Sequence, residues 1–274
     1  MTSGASAHAA GGDRPVAVVT GAARGIGAAV AEGLALAGWD LVLGDVDAPD
    51  TVAGLSYALS DQADRTDVAD RCTDLGAHVI ATSCDVRDGD QVARLVDRAG
   101  PRLRAVVPVA GIMGADGPAW EQSAADLDLD LSVNLHGIAN LVRCAVPQLL
   151  GGPDPSRCRI VAVISSAANR GLPLLASYVA SKHAALGYIR SLAADLAPSG
   201  VTANAVLPGS TRTALLARTA RAYNLSSLEG FVAHQRLGRL IEPPEIAAAV
   251  TWLCSPGASA ITGAAVSVDG AFNG

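Results

Sequence analysis

Val16-Ala17-Val18-Val19-Thr20-Gly21-Ala22-Ala23-Arg24-Gly25-Ile26-Gly27 is an apolar run that enters a glycine-rich turn and continues as an alanine-rich stretch to Ala37. Such a run predicts a strand, a turn and a helix in that order. The turn has the spacing G-x-x-x-G-x-G, a variant of the dinucleotide fingerprint. Gly21 permits a tight turn. Gly25 and Gly27, on either side of Ile26, let the backbone approach a pyrophosphate and let the helix pack on the strand. The helix then points its free N–H groups at the phosphates. A plain βα connection gives the same glycines, so a second signal is needed.

That signal is Leu41-Val42-Leu43-Gly44-Asp45, an apolar strand ending in an acid. Asp45 follows Gly27 by 18 residues (45 − 27), close to the offset of about 20 at which an acid bonds the adenosine ribose hydroxyls. A carboxylate there occupies the place that the extra phosphate of NADP needs, which favours NAD. Arg24, inside the turn, argues for NADP, because a basic residue can pair with that phosphate. We weigh Asp45 above it. Asp47 and Asp50 are also acids of this loop, so an ordinary strand-end residue is the competing reading of Asp45.

Composition bounds the function. The chain has 274 residues, half of them hydrophobic, and a net charge of −6 with no basic run. Strand and helix signals alternate throughout, which favours one doubly wound α/β domain over residues 15–274. Nucleic-acid binding is disfavoured electrostatically. Apolar stretches stay shorter than the roughly 18 residues of a membrane span. Residues 1–14 read as a disordered tail and not as a signal peptide. The five cysteines are scattered and the histidines show no metal-ligand spacing, so a cytoplasmic protein with reduced thiols and no metal is expected.

Further along, residues 46–76 form a long path to the next strand, with Pro49, Gly54 and a polar helix-like run from about Gln62 to Leu75. An insert of this length near the adenosine site implies a functional or packing role. A strand over 78–83 leads to Asp85-Val86. Asp85 either reaches an adenine amine, with Val86 over the ring, or caps the next helix. A strand over 105–110 ends in Ala110-Gly111, small enough for close approach to a cofactor. A helical stretch over 124–150 carries Asn134, and its acids Asp126, Asp128 and Asp130 read as a solvated edge. Ser165 and Ser166 end the strand over 159–164, where ligands bind in open α/β sheets. The strand over 201–207 runs into Pro208-Gly209-Ser210-Thr211-Arg212-Thr213. Residues 210–240, rich in Ala and Leu, are a candidate lid over a largely apolar substrate, or a subunit contact.

Tyr178 and Lys182 lie four residues apart on a predicted helix over 177–196, so both side chains face one way. An ammonium beside a phenol favours the phenolate, which makes the pair a plausible proton-transfer device.

Taken together, Thr20-Gly21-x-x-x-Gly25-Ile26-Gly27, Asp45, Asp85-Val86, Ala110-Gly111, Asn134, Ser165-Ser166, Tyr178-x-x-x-Lys182 and Pro208-Gly209 resemble the short-chain dehydrogenase/reductase family, in its short single-domain branch. The resemblance spans residues 15–274. It implies a Rossmann-type seven-stranded parallel sheet with helices on both faces, usually in a tetramer. It implies Tyr178 as acid/base, Lys182 lowering its pKa and bonding the nicotinamide ribose, and Asn134 holding a relay water. A serine would hydrogen-bond the substrate oxygen: Ser165 by its distance from Tyr178, with Ser166 as the alternative. Thr213, with Thr211, would bind the carboxamide. The family's Asn-Asn-Ala-Gly is Pro108-Val109-Ala110-Gly111 here, so side-chain bonds that tie the central sheet are lost. The insert after Asp45 resembles the mycofactocin-associated, carveol-dehydrogenase-like members, which hold NAD tightly and pass electrons to a peptide-derived carrier. The activity implied is NAD-dependent oxidation of a secondary or cyclic alcohol, or the reverse. The alternative is an NADPH-dependent 3-oxoacyl-thioester reductase.

Overall fold

A computed structural model of the chain describes residues 14–47, 55 and 57–272. The expected tail, Arg14 apart, and residues 48–54 of the long connection lie outside the described residues.

Successive strand residues point to opposite faces of a sheet. In β1 (Val16–Thr20), Val16 and Val18 enter one core while Ala17 and Val19 enter another. The same split recurs in β4 (Leu103–Pro108) and β5 (Arg159–Val163), with Val106 and Ile160 on the first face and Val107 and Val161 on the second. Strands apolar on both faces are what a covered parallel sheet requires. With β2 (Asp40–Asp45), β3 (Val79–Ser83), β6 (Thr202–Pro208) and β7 (Ala265–Val268), they form a seven-stranded sheet of order 3-2-1-4-5-6-7. Every pairing is parallel.

On the first face lie α3 (Gly89–Asp97), α5 (His136–Gly151) and α6 (Ala176–Leu196), through Leu95, Leu141 and Ile189 among others. On the second lie α1 (Gly25–Leu36), α2 (Gln62–Asp74) and α8 (Pro243–Leu253), through Leu34, Val68 and Val250. This is the expected doubly wound Rossmann-type domain. Strand order reverses between β1 and β4, and the carboxyl ends of those strands open the crevice where such sheets bind ligands.

The structure refines the sequence reading at three points, and only the first departs from it. The helix over 124–150 is two helices, α4 (Ala124–Asn134) and α5, joined at Leu135. The polar run after Gln62 is the β2–β3 crossover helix α2, so the extra chain is confined to residues 46–61. The candidate lid is a short helix, α7 (Ala214–Ala222), followed by a 3-10 segment, Leu228–His234. Among the described residues no helix is long and apolar enough to cross a membrane.

Candidate active site

A cleft of about 950 Å³ runs across the carboxyl ends of β1, β4, β5 and β6. At one end lies the glycine turn. Gly21 (φ +67°) and Gly25 (φ +57°) adopt left-handed backbone, which only glycine enters freely. A Cβ on Gly27 would sit 1.9 Å from the Gly21 carbonyl oxygen. These three positions therefore leave bare backbone before and within the first turn of α1, which fits a pyrophosphate.

Asp45 ends β2 beside this turn. Its Oδ2 accepts from the Ala23 N–H at 2.8 Å, and its Oδ1 accepts from the Val46 N–H at 2.8 Å and the Ser60 hydroxyl at 2.7 Å. Arg24 donates through Nη2 to the Ala58 carbonyl at 2.7 Å, so this guanidinium is bound to the loop. Asp85 and Val86 line the cleft. Asp85 is not the helix cap: Asp88 caps α3, and the Asp85 carboxylate is held by Arg87, with Nη2 to Oδ2 at 2.6 Å.

The described end of the insert forms a strap along the cleft. Leu55 and Leu59 pack on the first core. The Tyr57 hydroxyl accepts from the Met113 N–H at 3.1 Å, and an Arg65–Asp47 ion pair holds the other end. The sequence reading missed Tyr57. Nothing local marks it, because its role arises only where the strap meets the chain beyond β4.

Residues 109–114 form the inner wall. A Cβ on Gly21 would meet the Ala110 nitrogen at 2.5 Å, so Ala110 packs directly on the glycine turn. The Val109 N–H donates to the Thr20 carbonyl at 3.1 Å, a backbone tie that survives the loss of the family's asparagine pair. A Cβ on Gly111 would lie 3.0 Å from Lys182 Nζ and 3.2 Å from Asn134 Oδ1, so Gly111 lets this wall press on both. Asn134 Oδ1 accepts from the Ile112 N–H at 2.9 Å. Its Nδ2 donates to the Ile112 carbonyl at 3.0 Å and to Ser181 Oγ at 2.9 Å. Both amide hydrogens are thus used, and the side chain positions the wall.

Tyr178 and Lys182 project from α6 into the cleft, 8% and 4% exposed. Lys182 Nζ lies 5.5 Å from the Tyr178 ring centroid. Tyr178 packs among Met113, Ala167, Leu175 and Ala222, and this burial pushes its phenol up to about 12, against the lowering effect of a Ser165 hydrogen bond. Burial also brings Lys182 down to about 8. The dry site therefore weakens both charged forms, as desolvation does. Ser165 and Ser166 both line the cleft with Tyr178; the Ser165 hydroxyl accepts from the Ala167 N–H at 3.1 Å, and Ser166 opens the following 3-10 turn. Pro208, Gly209, Thr211 and Thr213 also line the cleft. Thr213 caps α7 and faces Gly25, its Cγ2 lying 3.4 Å from where a Gly25 Cβ would be.

Part of the cleft is an apolar chamber whose lining includes Leu172, Pro173, Leu215, Tyr223, Phe231 and Phe272, together with His234. The Tyr223 hydroxyl donates to the Pro173 carbonyl at 2.9 Å, which joins the lid to the loop before α6.

One expectation is overturned. Asp130, read as part of a solvated helix edge, is fully buried. It lies one turn before Asn134, and that spacing turns both side chains inward. Asp126 does remain at the surface end of α4, in a capping box with Ser123.

A family model described as enoyl-(acyl carrier protein) reductase matches residues 21–273. The chain belongs to the short-chain dehydrogenase/reductase family. Cis-4-hydroxycyclohexanecarboxylate dehydrogenase of Sinomonas cyclohexanicum is 34% identical over 94% of this chain and 96% of its own. A putative ketoacyl reductase of the monensin polyketide synthase, from Streptomyces virginiae, is 33% identical over 93% and 95%. The crystal structure of carveol dehydrogenase from Mycobacterium avium in complex with NAD superposes with a TM-score of 0.86 at 27% identity, covering 93% of this chain and 96% of that one.

Proposed function

We propose that this family member is an NAD-dependent oxidoreductase that interconverts a secondary, preferably cyclic, alcohol and its ketone. The observation that carries the reading is that Ser165, Tyr178 and Lys182 line one cleft together with the glycine turn and the apolar chamber. Similarity to a cyclohexane-ring dehydrogenase and to an NAD complex of carveol dehydrogenase supports it. So does Asp45, whose carboxylate stands where an NADP phosphate would need room, and so does Arg24, which is engaged with Ala58.

NAD, when bound, supplies the hydride acceptor for alcohol oxidation. The chain does the rest. Gly21, Gly25 and Gly27 accommodate the pyrophosphate, and Asp45 accepts from the adenosine ribose. Lys182 takes the nicotinamide ribose, and Thr211 and Thr213 take the carboxamide. The Tyr178 oxygen accepts the substrate hydroxyl proton, while Ser165 holds the substrate oxygen in line. Asn134 fixes the wall through Ile112, and a relay water falls to its main-chain carbonyl because its amide hydrogens are committed. The strap over 57–60 closes the cleft over the dinucleotide and slows its exchange.

The test is turnover of a panel of cyclohexanols with NAD, against 3-oxoacyl thioesters with NADPH, followed at 340 nm. Turnover of the ring alcohols with NAD upholds the reading. Turnover confined to the thioesters and NADPH replaces it with the ketoacyl-reductase alternative, which similarity to the monensin enzyme favours.

A further inference from the structure

Asp130 is a buried carboxylate that the chemistry above does not use. Its Oδ1 accepts from the Gly114 N–H at 2.9 Å, and its Oδ2 has no hydrogen-bond partner. The side chain is fully buried on the face of α4 that carries Asn134. Asn134 grips Ile112 and Asp130 grips Gly114, so the two clamp alternate amides of one strip. At Gly111 that strip leaves room for Lys182, whose Nζ lies 3.0 Å from where a Gly111 Cβ would be, and Met113 packs beside Tyr178. The same strip is held from the far side by Arg218, whose Nη2 donates to the Gly114 carbonyl at 3.1 Å and pairs with Asp116 at 2.5 Å.

A buried acid with one oxygen unpaired is costly to ionise. It is held on the inner wall that packs on the proton-transfer pair, and among the described residues its one hydrogen bond is to Gly114. The charged and titratable groups around it are Lys182 and Tyr178 on α6, Tyr57 on the strap, Arg218 on α7 and Asp126 on its own helix. Among these, Asp130 acts on Lys182, Tyr178 and Tyr57 alike. Its ionised form favours the Lys182 ammonium and opposes the Tyr178 and Tyr57 phenolates.

We propose that Asp130 is a positioning residue for the Tyr178–Lys182 pair: a third titrating member, acting by its charge through the dry inner wall, that holds Lys182 as an ammonium and delays ionisation of Tyr178. Losing its proton strengthens the lysine and restrains the tyrosine, and gaining one does the reverse. No bond is made or broken with substrate at this carboxyl. The inference rests on Tyr178 being the acid/base, so its test has one arm independent of turnover.

Burial raises the Asp130 carboxyl to about 6. In protein labelled with ¹³C at aspartate carboxyls, one resonance should titrate near pH 6 in the native chain, should vanish in Asp130→Asn, and should move to higher pH in Lys182→Met. Asparagine keeps the acceptor for Gly114, so the strip stays clamped. In kinetics, the pH profile of kcat/KM for alcohol oxidation should carry an inflection near 6 that Asp130→Asn removes. The alkaline limb of the variant should move to lower pH. Aspartates that all titrate below about 5 in the native chain, a resonance near 6 indifferent to Lys182→Met, or identical profiles for Asp130→Asn and native enzyme would each overturn the proposal. Should Asp130→Asn not fold, the native and Lys182→Met titrations decide alone. Tyr178→Phe separates the two readings: if it keeps full activity, the acid/base assignment fails, while the carboxyl titrations still judge Asp130.

Discussion

Ser60 donates its hydroxyl to Asp45 Oδ1 at 2.7 Å, so the acid that ends β2 is already bound by the chain's own strap. Asp45 uses further lone pairs on the Ala23 and Val46 amides. A ribose diol arriving at this carboxylate must share it with Ser60 or displace it. The strap must also lift from Met113 and Arg24, where Tyr57 and Ala58 anchor it.

Removing the Ser60 anchor should therefore speed both entry and escape of the dinucleotide. One hydrogen bond contributes about 0.5–1.5 kcal/mol net, which makes Ser60→Ala faster by roughly 2- to 10-fold in each direction, with little change in Kd. Stopped-flow NADH fluorescence reads both rates. Unchanged rates would mean that the strap does not gate the cleft.

The proposed function makes Asp45 the selector of nucleotide. In Asp45→Ala the ribose loses a charged acceptor, a loss of about 1.5–3 kcal/mol, so NAD should bind roughly 10- to 100-fold more weakly. NADP should bind no worse than to native protein, because the repelling carboxylate is gone. Titration calorimetry with both nucleotides checks this, and equal weakening of both would remove Asp45 as the selector.

Tyr178→Phe should keep the fold, since the ring rather than the hydroxyl packs among Met113, Ala167 and Leu175. Turnover should fall about 10²- to 10⁴-fold, the range for losing a positioned acid/base. The sign of the native pH dependence follows from the raised phenol, at about 12 without cofactor. Alcohol oxidation needs the phenolate and should rise with pH across the neutral and alkaline range. Ketone reduction needs the phenol and should not. An oxidation rate that falls with pH over that range would contradict Tyr178 as the base.

Much of this was legible because the signals are local. Burial of β1 on both faces follows from a run of five apolar or β-branched residues, and the glycine turn and the Tyr178–Lys182 spacing each lie within a few residues of chain. What the sequence did not disclose depends on chain segments meeting. Tyr57 matters because Met113 lies across the cleft, 56 residues on. Asp130 was misread because Asp126 and Asp128 beside it belong to the outer part of the helix, and the inward face is defined only once α4 docks on residues 111–114. Asp85 was left between two roles because Asp88, three residues on, competes for the helix cap.

The glycines separate backbone need from mere tolerance, and two of them give opposite predictions. Gly27 lies in the first turn of α1 beside the Gly21 carbonyl, and a Cβ there would lie 1.9 Å from that oxygen and 2.7 Å from its carbon. Both are backbone atoms of the phosphate-facing turn, so neither can swing away as a side chain would. Gly27→Ala should cost at least about 1–3 kcal/mol, the usual penalty of overpacking, and should weaken dinucleotide binding because the turn itself must move. Gly187 sits in the middle of α6 on an exposed face, with nothing within 4 Å of the added carbon. A glycine inside a helix is less stable than alanine by about 0.5–1 kcal/mol, so Gly187→Ala should raise Tm by about 1–4 °C and leave turnover unchanged. Thermal melts of the two variants, with and without NAD, check both expectations. A Gly27→Ala protein that melts and binds like native would show that the turn relaxes freely, and would remove the close-approach argument for the pyrophosphate site.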